Sequence, residues 1–304
     1  MSNTIRIREI QAKSALVRSS LPDADMVVNP YVGCQFACAY CYASFMGRFA
    51  GEAIAEWGRY VHPKINAVEL FGRELARLRA RGRAPSILLS SVTDPYQGLE
   101  SRYRLTRGIL EALAREPYPG RLCILTKSPL VLRDLDLFGQ LPNFEVGVTV
   151  TTDDDRLGRE LEVHAPAASA RLSTLEQLAR AGIETYAFIG PLLPSYADAP
   201  ALLERLVERL AATGVRSAYV EHLNPSRYIL ARIQADRPSE PGPGNVSRVR
   251  RRAIEARAAL EALLLPLLDR HGIRLRLGQA LVHADGPSAP QGAETTPQSG
   301  KGTR

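Results

Sequence analysis

The sequence predicts an α/β fold built on six parallel strands. Three observations lead there. Short runs rich in Val, Ile and Leu alternate with segments whose apolar residues recur at helical spacing. The alternation repeats six times between residues 26 and 220. Apolar content of 45% and charged content of 23% are those of an ordinary globular chain, and 304 residues suffice to bury a large core.

Taken in order, residues 1–25 are polar and read as an extended lead-in, and Met26-Val27-Val28 is the first strand. Residues 66–81 carry Val68, Leu70, Phe71, Leu75 and Leu78 on one helical face, before a second strand at 86–90 and a helix at 105–114. A third strand at 121–126 precedes a helix at 130–138, and a fourth lies at 145–150. The helix at 168–181 runs into Gly182, a residue suited to the left-handed position just past a helix end. A fifth strand (184–189), a helix (199–212) ending at Gly214, and a sixth strand (215–220) complete the core, residues 26–225.

Strands joined through helices run parallel, with right-handed crossovers. Periodicity leaves open whether six such units make a partial barrel or an open doubly wound sheet. In both, the working face lies at the strands' C-terminal ends. Residues 226–283 read as a C-terminal extension. A loop at 236–247 holds three prolines and two glycines, and Arg248, Arg250, Arg251 and Arg252 open a helix to about residue 270. A last strand is expected at 273–277, and residues 284–304 have the composition of a disordered tail.

Composition also excludes. No apolar run approaches the roughly 18 residues of a membrane span, and the polar N-terminus resembles no secretion signal, so the expected location is cytoplasmic. Four cysteines, three of them within eight positions, are too few and too clustered for a disulfide framework. The net charge of +7 permits an anionic partner, although arginines on solvated helix faces account for much of it.

The chemistry concentrates in Asn29-Pro30-Tyr31-Val32-Gly33-Cys34-Gln35-Phe36-Ala37-Cys38-Ala39-Tyr40-Cys41-Tyr42-Ala43, with the spacing C-x3-C-x2-C directly after strand one. Three thiolates saturate neither a tetrahedral zinc nor the four irons of a cubane. One reading is a zinc site completed by a histidine in a metal-stabilised nucleic-acid-binding protein that uses the 248–252 arginines. However, His62, His164, His222, His271 and His283 have no zinc-finger spacing to the trio. The other is a [4Fe–4S] cluster with one iron open. Cys123, the fourth cysteine, sits within a strand and reads as a small buried hydrophobe.

The motif, with an aromatic residue before its last cysteine on the loop after strand one, resembles the radical S-adenosylmethionine superfamily. The longer run N-P-Y-x-G-C-x-x-x-C-x-Y-C-Y-A resembles its spore photoproduct lyase-like, or DNA repair photolyase-like, branch. Further matching stretches are Ser91-Val92-Thr93-Asp94-Pro95-Tyr96-Gln97 with Glu100, Leu105-Thr106-Arg107, Leu125-Thr126-Lys127-Ser128, Val148-Thr149-Val150-Thr151-Thr152, and Glu162 with Arg171. The resemblance covers about residues 14–225. It implies a partial (βα)6 TIM-type barrel with parallel strands, and a cluster on Cys34, Cys38 and Cys41. It also implies reductive cleavage of S-adenosylmethionine to a 5′-deoxyadenosyl radical that takes hydrogen from a substrate. A reductant such as flavodoxin or ferredoxin is then required, and a nucleic acid, a peptide or a small molecule all fit as substrate.

The same resemblance assigns cofactor contacts. Thr93 and Asp94 end strand two, where Thr93 matches a cofactor-contacting position of the lyase branch. Lys127 is placed to meet the cofactor's carboxylate as a point charge. Thr149 and Thr151 share one strand face, with Thr151 nearer the mouth, where it either binds ribose hydroxyls or satisfies a strand end. Arg171 either clamps a carboxylate or pairs with Glu162. Tyr40 and Tyr42 flank Cys41, Gly190-Pro191 follows strand five as a close backbone approach, and Glu221, His222 and Asn224 end strand six. One departure stands out: the spore lyase returns hydrogen to its product radical from a cysteine near the end of strand two. The matching position here is Ser91, whose O–H bond is too strong for that task, so the resemblance carries the radical chemistry without spore photoproduct repair.

Overall fold

The computed structural model describes residues 4–116, 118–236 and 246–282. Strands β1 (Arg6–Ile7), β2 (Leu16–Arg18), β3 (Met26–Val28), β4 (Tyr31–Val32) and β5 (Tyr60–Pro63) precede helix α1 (Ala67–Ala80). Next come β6 (Ile87–Leu89), α2 (Glu100–Tyr103), α3 (Leu105–Ala114), β7 (Leu122–Thr126), α4 (Leu135–Phe138), β8 (Phe144–Thr149), α5 (Asp155–Leu161), α6 (Ala168–Arg180), β9 (Glu184–Leu192), α7 (Pro200–Ala212) and β10 (Ser217–His222). The extension supplies α8 (Arg227–Asp236), α9 (Val246–Arg270) and β11 (Arg274–Leu275). None of the described helices is long and apolar enough to cross a membrane.

One eight-stranded sheet dominates, in the spatial order β11-β10-β9-β8-β7-β6-β3-β2. From β3 to β11 every pairing is parallel, and only the edge strand β2 runs antiparallel to its neighbour. Spatial order follows chain order without reversal, whereas a doubly wound sheet must reverse at a switch point. The fold is therefore the partial barrel.

Side-chain alternation gives the same answer. Ile87, Leu89, Leu122, Ile124, Val146, Val148, Ala187, Ile189, Ala218 and Val220 face outward into the main core beneath the helices. Their neighbours Val27, Leu88, Cys123, Tyr186 and Tyr219 form a separate cluster, with Leu125 and Phe188 packed against it. Two buried faces separated by a two-residue period are what a barrel wall requires. Cys123 is buried, as a strand cysteine should be.

Helix ends follow local chemistry. After α6, Gly182 adopts φ +74°; its N–H bonds to Ala179 and that of Ile183 to Leu178, a double closure of the last turn. Asp154 caps α5 by accepting from the N–H groups of Arg156 and Leu157.

The lead-in is more structured than its polarity indicates. β1 pairs parallel with β5 in a small three-stranded sheet with β4, and β2 pairs with β3. Asn66 and Glu74 fasten the stretch between them, holding Ala12 at both backbone groups and accepting from the N–H groups of Ala15 and Leu16. β1 and β2 are short and mostly exposed, so no apolar run marks them in the sequence. Helix α8 was not expected at all. The last strand is shorter than its apolar run because Leu277 turns to φ 64°. Most of the 236–247 loop, the Arg248 side chain and the 284–304 tail lie outside the described residues.

The barrel floor is aromatic. Tyr186 lies across Gly147, and its hydroxyl donates to the Ile124 carbonyl at 3.3 Å. Below it, Arg276 stacks on Tyr186 and Tyr219 at 4.5 and 5.2 Å and binds both oxygens of Glu145 at 3.0 and 2.6 Å. A methyl group on Gly147 would stand 2.1 Å from the Tyr186 ring. Gly147→Ala is therefore expected to cost about 1–3 kcal/mol, the range for overpacking a filled core, read as a lower urea midpoint at unchanged slope.

Candidate functional site

The cysteine loop leaves β4 and ends at a 3-10 helix, Tyr42–Ala50. Gly33 starts it at φ +86°, where a Cβ would meet the Tyr60 carbonyl oxygen at 2.4 Å; only glycine fits before Cys34. Cys34 and Cys38 pack with Phe36, Ala43, Trp57 and Tyr60, and Cys41 lies against the same group. All three cysteines are free thiols. They open onto a cavity of about 250 Å³ inside the barrel, floored by Tyr186 and walled by Leu88, Leu125, Phe188 and Tyr219.

Strand ends hold the loop in place. Thr93 donates to the Gly33 carbonyl at 2.6 Å and accepts from Gln97, whose Oε1 receives the Gln35 N–H at 2.9 Å. Gln35 returns the contact by accepting the Leu99 N–H. Tyr42 donates to the same turn, at the Ser91 carbonyl, at 2.6 Å, and on the opposite side the Ala39 N–H donates to the Leu161 carbonyl at 2.9 Å. The turn after β6 and the end of α5 thus grip the loop between them.

The residues singled out from sequence divide in two. Thr93, Asp94, Lys127 and Thr149 line the cavity together with the three cysteines. Asp94 is buried, and its carboxylate accepts from the Thr126 hydroxyl and the N–H groups of Tyr96 and Lys127. It ties the end of strand two to the end of strand three, and burial raises its pKa despite those bonds. Thr151 and Arg171 stand behind the wall. Thr151 donates to the Gly190 carbonyl at 2.8 Å, and Arg171, 2% exposed, pairs with Glu162 and donates to the Pro166 carbonyl.

Glu162 is the hub of this second group. Besides Arg171, it receives the Tyr40 hydroxyl and stands 3.8 Å from Lys127 Nζ, which lies 5.7 Å over the Tyr40 ring. Burial alone would raise the Glu162 carboxyl, but Arg171 and Lys127 outweigh it and hold the group below its ordinary value. Lys127 is shifted the other way: burial disfavours its charge, yet the Glu162 carboxylate, and Cys38 once it is a thiolate, favour the cation. A cation is thereby fixed beside the thiols.

Burial is the main cause that pushes all three thiols up: Cys34 well above its ordinary value, Cys38 to about 12, and Cys41 in the same direction. Unliganded, they hold their protons, and binding iron as thiolates must release them. Among the described residues no three His, Cys, Asp or Glu side chains converge closely enough for one metal ion. A cubane takes three thiolates on three separate irons, a donor set that the three cysteines of one loop can supply.

Several contributors carry no readable signal in the sequence. Tyr186 and Phe188 look like core aromatics, and Trp57 belongs to no motif. Tyr228 and Arg232 reach the loop from α8. Gln97, by contrast, lies within the matching stretch 91–97. Of the strand-six residues, Glu221 and Asn224 line the cavity, while His222 bonds Glu261 at 2.8 Å.

Three comparisons agree with this architecture. The model of the radical SAM superfamily matches residues 28–206, and the chain belongs to that superfamily. An uncharacterised protein of Methanocaldococcus jannaschii is 37% identical over 198 residues, 65% of this chain and 72% of that protein. Spore photoproduct lyase, solved with a dinucleoside spore photoproduct, superposes with a TM-score of 0.68 at 15% identity, covering 88% of this chain and 81% of that one. Streptococcus suis SuiB bound to its precursor peptide SuiA does so with a TM-score of 0.53 at 14% identity, covering 82% and 48%. At these identities the structural likenesses establish a shared fold. The family implies a [4Fe–4S] cluster and S-adenosylmethionine.

Proposed function

We propose that the chain is a radical S-adenosylmethionine enzyme in which Cys34, Cys38 and Cys41 hold a [4Fe–4S] cluster with one iron open to the cofactor. The observation that carries this reading is the placement of three thiols on one loop, Cys34 and Cys38 buried and Cys41 half-buried, at the mouth of a parallel barrel and facing its only partly filled interior. Bound there, cluster and cofactor supply one-electron cleavage of the sulfonium and, through it, hydrogen abstraction. The chain's own residues do the rest. Lys127, kept cationic by Glu162, offers a charge to the cofactor's carboxylate. Thr93 and Thr149 present the polar rim against which the cofactor lies, while Thr151 and Arg171 keep Glu162 and Tyr40 in register behind it. Leu125, Phe188, Tyr186 and Tyr219 exclude water from the space where the substrate's C–H bond sits.

The electron comes from a small acidic carrier such as flavodoxin or ferredoxin. For the substrate, the aromatic cavity and the net charge of +7 make a nucleic acid the first class to test. The neighbours with this fold include one solved with a dinucleoside lesion and one with a peptide. Ser91 on the cavity wall, in place of a thiol, favours a reaction other than spore photoproduct reversal.

The test is anaerobic reconstitution of the full chain, followed by dithionite and S-adenosylmethionine. About four irons per chain and 5′-deoxyadenosine formation are expected. A chain that takes up iron and sulfide but yields no 5′-deoxyadenosine sinks the enzymatic reading.

A further inference from the structure

Helix α8 lies back over the cysteine loop and brings a cation to it. Tyr228 and Arg232 are four residues apart and share one face of the helix. The Tyr228 hydroxyl donates to the Tyr42 carbonyl at 3.1 Å, and Arg232 Nη2 donates to the Cys38 carbonyl at 3.3 Å. The two contacts straddle Cys41. The other terminal nitrogen of Arg232, Nη1, is buried and has no hydrogen-bond partner among the described residues. A buried charged donor left unpaired is costly, so its position calls for an acceptor. The charge of Arg232 reaches the Cys41 sulfur, as that of Lys127 does from the barrel side.

We propose that Arg232 tunes the reduction potential of the cluster, its Nη1 donating to a cluster sulfur and its charge favouring the reduced state. The inference rests on the cluster assignment made above. Reduction adds one electron and no bond, so the reduced cluster is more negative by one charge than the oxidised one. A nearby cation screened by little water therefore stabilises the reduced form more and raises the potential. Arg232 touches neither S-adenosylmethionine nor substrate; in this reading it acts on the cluster alone. Its value lies in making a strongly reducing cluster accessible to a biological donor.

The experiment is a redox titration of the reconstituted full chain without S-adenosylmethionine, followed by electron paramagnetic resonance of the reduced cluster. Arg232→Gln is expected to move the midpoint to a more negative potential at unchanged iron content, and Arg232→Lys, which keeps the charge, to restore most of the shift. Tyr228→Phe removes the neighbouring contact without touching charge and should leave the midpoint in place. An Arg232→Gln midpoint equal to the wild-type one overturns the proposal, as does a Tyr228→Phe shift of the same size. If Arg232→Gln fails to hold its iron, Arg232→Met, which also removes the charge, takes its place: a more negative midpoint supports the role and a wild-type midpoint overturns it. A wild-type chain without any reducible cluster would instead defeat the cluster assignment itself.

Discussion

Alanine in place of Cys34, Cys38 or Cys41 is expected to reduce 5′-deoxyadenosine formation to the level of the enzyme-free blank. A three-thiolate cluster has no spare protein ligand: the remaining cysteine, Cys123, sits on β7 in the barrel interior, away from the loop. Cys123→Ala is accordingly the control, expected to keep its iron. Iron and sulfide analysis of the four variants, with the 400 nm absorbance of the cluster, checks the result. Loss of iron in Cys123→Ala, or its retention in all three loop variants, would place the cluster elsewhere. The loop variants are expected to stay folded, because the loop is held by Thr93, Gln97 and the Ala39–Leu161 bond as well as by its thiols.

Glu162→Gln is expected to cost about 3–5 kcal/mol of stability, the range for removing one partner of a buried ion pair. Arg171 would keep its charge in a 2% exposed position with its carboxylate gone, and the Tyr40 hydroxyl and Lys127 would lose the same partner. Urea unfolding measures the loss. The double variant Arg171→Met, Glu162→Leu should recover part of it, since Arg171 is then not left as an unpaired buried charge, while Lys127 still lacks its carboxylate. The pH dependence has a definite sign. The folded Glu162 carboxyl lies below its ordinary value, so its contribution is complete above the unfolded pKa, about 4.3. It is lost as pH falls through the folded one. Glu162→Gln should therefore flatten the acid limb of the stability curve and leave the neutral-to-basic limb parallel to that of the wild type.

The six core strands were legible because each is a compact run of apolar residues set between longer segments of helical spacing, even where, as in β3 and β6, it has only three residues. Closure was not, since periodicity carries no information on strand order; that order follows from pairings such as Met26 with Ile87. Within the site, the cysteine trio and the Glu162–Arg171 pair were legible as motif and as charge complement. The split between cavity-lining Thr93, Asp94, Lys127 and Thr149 and the supporting Thr151 and Arg171 was not, because it depends on where strand β8 ends and helix α6 begins. Arg232 was invisible for a simpler reason: it meets Cys38 across 194 positions of chain, from a helix that no local pattern announces.

The lone tryptophan of this protein turns its packing into an optical consequence. Trp57 is 5% exposed and shares its cluster with Cys34 and Cys38. Tryptophan emission overlaps the broad absorption of iron–sulfur chromophores, and energy transfer over so short a distance is efficient. With the proposed cluster on that loop, Trp57 would act as a built-in fluorophore, dim while iron is bound and bright once oxygen has stripped it. Loading and decay of the centre become observable in real time from intrinsic fluorescence, without label or substrate.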